Sequence, residues 1–253
     1  MSANVLVTGG ADSVGKVMAL AFAARGDRVH ICDANADALA ATLADHPELH
    51  GTVCDVGSPD DVARVFTDAR AWMGDITVLV NNVGIGGPRA LIEDISVADW
   101  QQSMNVNVGG MLYCMQQAIP SMKARRHGAI INFSTGSTRT RLPRRTAYVA
   151  SKFAVEGLTL HAARELGPLN VRCNAILPGA INNARMRKII GDRAEEVGEP
   201  IEAVTRDMLR FISMRTTVEP QEIADMVLFL ASDGANKVTG ELISVSGNVE
   251  WED

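Results

Sequence analysis

Short apolar runs alternate with longer amphipathic segments along this chain. The runs are rich in Val, Ile and Leu and predict strands at 4–8, 28–32, 51–54, 77–80, 129–133, 171–176 and 242–245. Apolar residues at helical spacing predict helices near 14–25, 35–45, 59–73, 97–123, 147–166 and 219–231. The strands are continuously apolar, so both faces of their sheet must be covered, as in a parallel sheet.

Strand–helix alternation of this kind predicts an α/β fold with one doubly wound parallel sheet of about seven strands and flanking helices. We find no linker or repeat, so residues 1–253 are expected to form a single domain. Residues 184–214 break the alternation with a charged, Met-rich helical segment, called the lid segment below. Because ligands bind at the carboxyl ends of such strands, we expect a small helical substrate lid here. The alternative is a peripheral helix pair without substrate contact.

Composition limits the possible partners. The chain has 47% hydrophobic and 21% charged residues and a net charge of −6, which argues against binding to nucleic acid or an anionic membrane. No apolar run reaches the roughly 18 residues of a membrane-spanning helix, and the N-terminus lacks the pattern of a secretion signal, so we expect a cytoplasmic protein. The cysteines are scattered, which predicts buried reduced thiols and no metal site; they are Cys32, Cys54, Cys114 and Cys173.

A glycine-rich turn follows the first predicted strand and opens the first helix. It reads Thr8-Gly9-Gly10-Ala11-Asp12-Ser13-Val14-Gly15. Such a turn lets backbone N–H groups and the helix N-terminus approach a pyrophosphate; a plain glycine turn is the alternative. The contacts expected there are Gly9, Asp12, Ser13, Val14 and Gly15.

Asp33 ends the second predicted strand, about 20 residues after the turn, where a carboxylate bonds the adenosine ribose of NAD. It would repel the 2′-phosphate of NADP, and Asp12 adds a second negative charge beside the turn. We therefore expect NAD as the cofactor, in preference to NADP. A helix N-cap role for Asp33 is compatible with this interpretation.

Tyr148 and Lys152 lie four residues apart in a predicted helix and therefore share a face. A nearby cation stabilises a phenolate, so a phenol in this position can exchange a proton with an alcohol or carbonyl near neutral pH. The spacing alone is a weak signal.

Taken in order, these motifs resemble those of the short-chain dehydrogenase/reductase family over residues 4–247. Ser13 stands where the family turn T-G-x-x-x-G-x-G has its central glycine, and Val83 replaces the alanine of the family N-N-A-G motif. The resemblance implies a Rossmann-type fold and reversible hydride transfer between a secondary alcohol and its ketone, with a nicotinamide cofactor and a small-molecule substrate. It also implies a homo-oligomer, a tetramer or dimer, with helices 97–123 and 147–166 between subunits.

The resemblance also implies further cofactor contacts. They follow successive strands and are Asp55 and Val56 for the adenine, Asn82, Val83 and Gly84 for the adenosine pocket, and Pro178, Gly179, Ile181 and Asn183 for the nicotinamide. Tyr148 and Lys152 complete this set, because the family lysine bonds the nicotinamide ribose.

The catalytic group implied by the resemblance has four members. Tyr148 is the general acid/base, Lys152 promotes its ionisation, and Asn107 holds a relay water, with Asn105 as the weaker alternative. The family serine lies 13 residues before the tyrosine, a position that Thr135 occupies here, and Ser134 is the fallback.

Arginines cluster on both sides of this group: Arg139, Arg141, Arg144 and Arg145 precede Tyr148, and Arg185 and Arg187 begin the lid segment. Guanidinium groups suit a carboxylate or phosphate, as in a hydroxy acid or a sugar-derived alcohol; a solvated loop or a subunit contact is the alternative. A 3-oxoacyl-thioester reductase and a non-catalytic NAD-binding sensor or scaffold remain alternative functions. An NAD-linked epimerase or dehydratase is less expected, since little chain follows Asn183.

Overall fold

The computed structural model describes residues 2–140 and 142–249, so Arg141 lies outside the described residues. Its strands form one seven-stranded parallel sheet in the order β3-β2-β1-β4-β5-β6-β7. This confirms the doubly wound α/β fold. The strands are β1 Asn4–Thr8, β2 Arg28–Asp33, β3 His50–Val53, β4 Val78–Asn81, β5 Gly128–Phe133, β6 Val171–Pro178 and β7 Leu242–Val245.

Helices cover both faces of the sheet. They are α1 Ser13–Ala24, α2 Ala36–Asp45, α3 Pro59–Met73, α4 Val97–Met104, α5 Gly110–Arg125, α6 Ser137–Thr140, α7 Thr146–Leu166, α8 Ala184–Val197, α9 Ile201–Leu209 and α10 Pro220–Ala231. Successive strand residues point to opposite faces: Val5 and Val7 pack in the core under α1 and α10, and Leu6 packs in the core under α3 and α5. This explains why the strands are apolar without alternation. All four cysteines are buried and free, as predicted.

The predicted helix 97–123 is divided by a π-helical turn at Asn105–Gly109. A π turn accommodates one extra residue in the helix and redirects side chains locally. Here it buries Asn107 completely at the carboxyl side of the sheet. The predicted helical segment is confirmed, because the three elements follow one another without a gap from Val97 to Arg125, but periodicity did not indicate the π turn.

β1 lies between β2 and β4, so the chain winds in opposite directions on the two sides of β1. In doubly wound sheets this reversal opens a crevice at the carboxyl ends of the strands. The glycine-rich turn and the ends of β4, β5 and β6 all lie at that edge. No helix within the described ranges is long and apolar enough to cross a membrane.

Candidate active site

The glycine-rich turn forms a tight cradle at the start of α1. A Cβ added to Gly15 would lie 1.8 Å from the carbonyl oxygen of Gly9, so only glycine fits at this crossing. Asn82 fastens the cradle to β4, because its Nδ2 donates to the carbonyl oxygens of Thr8 and Gly9 at 3.0 and 3.1 Å. The first-turn amides of a helix lack intrahelical acceptors and favour an anion. This backbone arrangement fits the pyrophosphate of a dinucleotide.

Ser13 adopts a left-handed conformation, with φ of 50°, at the position of the family's central glycine. Its amide donates to Asp12 Oδ1 at 2.6 Å, so the Asp12 carboxylate caps α1. This hydrogen bond engages the Ser13 amide, which the sequence predicted as a cofactor contact.

Asp33 and Asp55 stand at the ends of neighbouring strands beside the cradle. Asp33 Oδ2 accepts from the amide of Ala11 at 3.3 Å, and its Oδ1 accepts from the amide of Asn35 at 3.0 Å. Asp55 Oδ1 accepts from the amide of Gly57 at 2.9 Å, while Val56 is buried. Both carboxylates therefore keep fixed positions along the expected adenosine path.

Tyr148 and Lys152 share one face of α7, as their spacing predicted. The Lys152 side chain is buried; its Nζ donates to the Phe133 carbonyl at 2.7 Å and lies 6.0 Å from the centre of the Tyr148 ring. Burial lowers the pKa of Lys152 to about 7, and the positive charge of Arg185 adds to this effect. A Cβ on Gly84 would lie 2.9 Å from the same Nζ, so the N-N-V-G motif leaves room for the lysine by having glycine there.

Asn107 joins the loop after β4 to α7. Its Nδ2 donates to the Ile85 carbonyl at 3.0 Å and to Ser151 Oγ at 2.9 Å, and its Oδ1 accepts from the Ile85 amide at 2.8 Å. Ser151 Oγ in turn donates to the carbonyl oxygen of Tyr148 at 2.7 Å. Asn105 instead donates to Gly57 on the exposed side, away from this network.

Thr135 and Ser134 point in different directions at the end of β5. Ser134 Oγ donates to Glu156 Oε1 at 2.8 Å inside the protein. Thr135 lines a cavity, and its Oγ1 accepts from the amide of Ser137 at 3.2 Å. Glu156 also accepts from Thr138 Oγ1 at 2.7 Å. Sequence reasoning missed Glu156, although its position one turn after Lys152 on α7 was a usable signal.

The cavity beside Thr135 has a volume of about 660 Å³ and lies between the ends of β5 and β6 and helices α8 and α9. Its walls are mainly apolar and include Met186, Ile190, Val204 and Phe211. A cavity of this size and character suits a sizeable small molecule.

The Pro-Gly motif leads from β6 into α8. Pro178 and Gly179 contribute to the cavity wall, and Ile181 pairs with Val218 in an isolated parallel bridge. Asn183 caps α8, and its Nδ2 donates to Ser13 Oγ at 3.1 Å. Ser13, which departs from the family pattern, is thus in direct contact with Asn183.

The arginines that the sequence groups together have different surroundings in the structure. Arg139 pairs with Glu156 at 3.3 Å, and Arg187 donates to Asn182 at 3.1 Å, so both are engaged within the protein. Arg145 lies over the Tyr148 ring, with its Cζ 4.8 Å from the ring centre. Arg185 extends to the loop after β4, near Gly86.

Comparison with known proteins agrees with this architecture. A family profile described as enoyl-(acyl carrier protein) reductase matches residues 9–249. The chain is 30% identical to the 7alpha-hydroxysteroid dehydrogenase of Escherichia coli K12, over 96% of this chain and 92% of that protein. It is 34% identical to a 3-oxoacyl-(acyl-carrier-protein) reductase of Thermotoga maritima, over 96% of both chains. The structure of NAD⁺-bound xylitol dehydrogenase matches with a TM-score of 0.89 and 28% identity, over 96% of this chain and 97% of that chain.

These matches each extend over 96% of the chain. The chain belongs to the short-chain dehydrogenase/reductase family and is a nicotinamide-dependent oxidoreductase that acts on CH–OH groups and the corresponding ketones.

Proposed function

We propose that this enzyme prefers NAD and interconverts a secondary alcohol and its ketone, with Tyr148 as the general acid/base. One observation carries the proposal: the buried Lys152 lies beside the Tyr148 ring and donates to Phe133 at the end of β5, two residues before the cavity-lining Thr135. Asn107 binds the loop beside them.

In the oxidative direction, the phenol oxygen of Tyr148 takes the hydroxyl proton, and in the reductive direction it returns a proton to the carbonyl oxygen. A nicotinamide bound in the crevice would supply or accept the hydride. Thr135 Oγ1 donates to the substrate oxygen and holds it near the phenol. Lys152 has three N–H donors, of which one is given to the Phe133 carbonyl, so the others are available to the phenol oxygen and a ribose hydroxyl.

Asn107 acts by position. Its side-chain amide is occupied by Ile85 and Ser151, so it fixes the loop that carries Gly84 against α7. Its amide oxygen and Lys152 Nζ lie 3.5 and 2.9 Å from the point that a Cβ on Gly84 would take. We place the family's relay water in this neighbourhood.

Residues already at the crevice would hold the cofactor. The cradle from Gly9 to Gly15 would hold the pyrophosphate, Asp55, Val56 and the N-N-V-G motif the adenosine, and the Pro178–Asn183 segment the nicotinamide. Asp33 and Asp12 support NAD over NADP, because two carboxylates at this end disfavour a 2′-phosphate. We expect the wild-type enzyme to have a higher kcat/KM with NAD than with NADP, and Asp33→Ser to reduce this difference between the two cofactors. A higher kcat/KM of the wild type with NADP would contradict the preference.

Two substrate classes deserve direct comparison. The apolar cavity accommodates a sizeable alcohol, and the relatives include a hydroxysteroid dehydrogenase and a 3-oxoacyl-thioester reductase. A panel of secondary alcohols, hydroxy acids and sugars with NAD tests the dehydrogenase, and a 3-oxoacyl thioester with NADH tests the second candidate. A chain that binds NAD but turns over no compound of either class is instead a sensor or scaffold.

Thr135→Ala and Ser134→Ala, measured separately with the best substrate, identify the hydroxyl that holds the substrate. We expect the larger loss of kcat at Thr135, because Ser134 Oγ already donates to Glu156. Equal kcat in both variants and wild type would refute the role for either residue.

We further propose that helices α8 and α9 form the substrate lid and that the enzyme is a cytoplasmic homo-oligomer. Leu112 on α5 and Phe153 and Leu160 on α7 expose 38, 46 and 44% of their surface, which supports a subunit contact on these helices. Light scattering on the purified chain tests the assembly, and a monomer at micromolar concentration would contradict it.

A further inference from the structure

Two guanidinium groups converge beside Tyr148. The Nη2 atoms of Arg185 and Arg145 lie 2.7 and 3.2 Å from the point that a Cβ on Gly86 would occupy, so both reach the same small volume. Arg145 comes from the start of α7 and Arg185 from the first turn of α8. The lid segment and the catalytic helix therefore each contribute one positive charge.

These charges have no carboxylate partner within the described part of the chain. Arg145 Nε is buried without a hydrogen-bond partner, which is costly for a charged group. Burial lowers the pKa of Arg145 against an opposing effect of Tyr148, and the charges of Arg89 and Arg185 lower it further. The charges of Arg144 and Arg89 also act on the Glu196 carboxylate, but Glu196 forms its ion pair with Arg193, at 2.9 Å.

The position of this pair relates it to the reacting atoms. Arg145 Cζ lies 4.8 Å from the centre of the Tyr148 ring, whereas the apolar cavity extends away from Thr135 under α8 and α9. A substrate held by its oxygen at Tyr148 and Thr135 can therefore direct one substituent to the arginines and another into the cavity.

We propose that Arg145 and Arg185 bind an anionic group, a carboxylate or phosphate, that the substrate carries close to its reacting carbon. The substrate class is then an anionic hydroxy or oxo compound with an apolar remainder. Two guanidinium groups offer several N–H donors in fixed planes, the arrangement that planar oxyanions match best. This inference rests on the proposed alcohol/ketone chemistry for the placement of the reacting carbon.

The test compares 3-hydroxyhexanoate with its methyl ester, which differ in charge but hardly in shape. Isothermal titration calorimetry gives their affinity for the full chain, and NAD reduction gives kcat/KM. The variants are Arg145→Gln and Arg185→Gln, and the matched control is Arg187→Gln, which removes the same charge from α8 at a side chain directed to Asn182. Light scattering on each variant checks that the assembly is unchanged.

We expect the acid to bind wild-type protein more tightly than the ester, and each test variant to weaken the acid by about 10- to 100-fold. The ester should keep its affinity in every variant, and Arg187→Gln should resemble the wild type for both compounds. Equal affinity for acid and ester, no binding of either, or an equal loss for both in the variants would overturn the inference.

The cofactor is the other possible source of an anion. Titration with NAD separates the two: if Arg145→Gln and Arg185→Gln weaken NAD as strongly as the acid, the arginines serve the pyrophosphate and the inference is wrong. Its failure is also distinct from failure of the proposed function. If acid and ester are oxidised with the same kcat/KM, only the anion site is contradicted. If no alcohol tested gives NAD reduction but the acid still binds more tightly than the ester, only the proposed reaction is contradicted.

Discussion

Glu156 connects α7 to the segment that carries Thr135. Its carboxylate accepts from Ser134 Oγ at 2.8 Å and Thr138 Oγ1 at 2.7 Å, and it pairs with Arg139 at 3.3 Å. Replacing it with alanine leaves two buried hydroxyls and a guanidinium without this acceptor. Because Thr135 lies between Ser134 and Thr138, we expect both stability and turnover to fall.

The magnitude follows from these contacts. A buried polar group without a hydrogen-bond partner lowers stability by about 1–3 kcal/mol. Both hydroxyls keep a second acceptor, however, because Ser134 Oγ also donates to the Lys152 carbonyl and Thr138 Oγ1 also donates to the Thr135 carbonyl. The ion pair adds little, since the Arg139 side chain is 45% exposed. We therefore expect Glu156→Ala to lower the free energy of unfolding by about 2–4 kcal/mol and Glu156→Gln, which keeps one acceptor oxygen, by about 1 kcal/mol.

Urea denaturation measures the stability, and NAD reduction at a temperature where all variants are folded measures kcat/KM. A displacement of about 1 Å in a positioning group lowers turnover by up to about 100-fold, so we expect a loss of 10- to 100-fold for Glu156→Ala. Glu165→Ala is the matched control, since Glu165 is an exposed carboxylate on the same helix. If Glu156→Ala is as stable as the control, Glu156 does not hold the two hydroxyls in place; if it is less stable yet retains full kcat/KM, Glu156 does not position Thr135.

Two further predictions concern acid stability and the cleft. Burial lowers the pKa of His30 to about 4, against an opposing effect of Asp68, and its Nδ1 has no hydrogen-bond partner among the described residues. As the pH falls, His30 is therefore protonated in the unfolded chain before it is protonated in the folded protein. The free energy of unfolding should fall between about pH 6.5 and pH 4, by up to about 3 kcal/mol from this group. Urea unfolding at pH 4.5 and 7 should show a smaller decline for His30→Gln than for wild type, and an identical decline would contradict the assignment. The side chains of Ser13 and Asn183 form a hydrogen bond at 3.1 Å. In a double-mutant cycle of Ser13→Ala and Asn183→Ala, we therefore expect a coupling free energy of about 0.5 kcal/mol in NAD binding. Strictly additive effects on the NAD dissociation constant would show that this hydrogen bond plays no part in cofactor binding.

The sheet and the order of its elements could be predicted because burial on both faces makes every strand apolar. The cradle could be placed because it must follow β1, and the shared face of Tyr148 and Lys152 follows from helix geometry alone. These features depend on local sequence and on the general rules of parallel sheets.

Other features depend on contacts that local sequence does not contain. The π turn at Asn105–Gly109 shifts the hydrogen bonds of an otherwise regular helix, and hydrophobic periodicity hardly records such a shift. The bond between Ser13 and Asn183 joins residues 170 positions apart. Glu156 resembles a solvent-facing residue until the turn after β5 brings two hydroxyls to it. Arg139 and Arg145 look equivalent in sequence, and only the fold pairs one with Glu156 and places the other over Tyr148.

The central claim is that Tyr148 transfers the proton. Tyr148→Phe removes one oxygen atom, and Tyr113→Phe is the matched control at the other tyrosine of the chain, whose hydroxyl donates to Asn105 at 3.3 Å on the exposed side. With the best alcohol of the panel and NAD, we expect Tyr148→Phe to lower kcat by about 100- to 10,000-fold while NAD still binds, and Tyr113→Phe to retain wild-type kcat. Full turnover in Tyr148→Phe would show that Tyr148 is not the general acid/base.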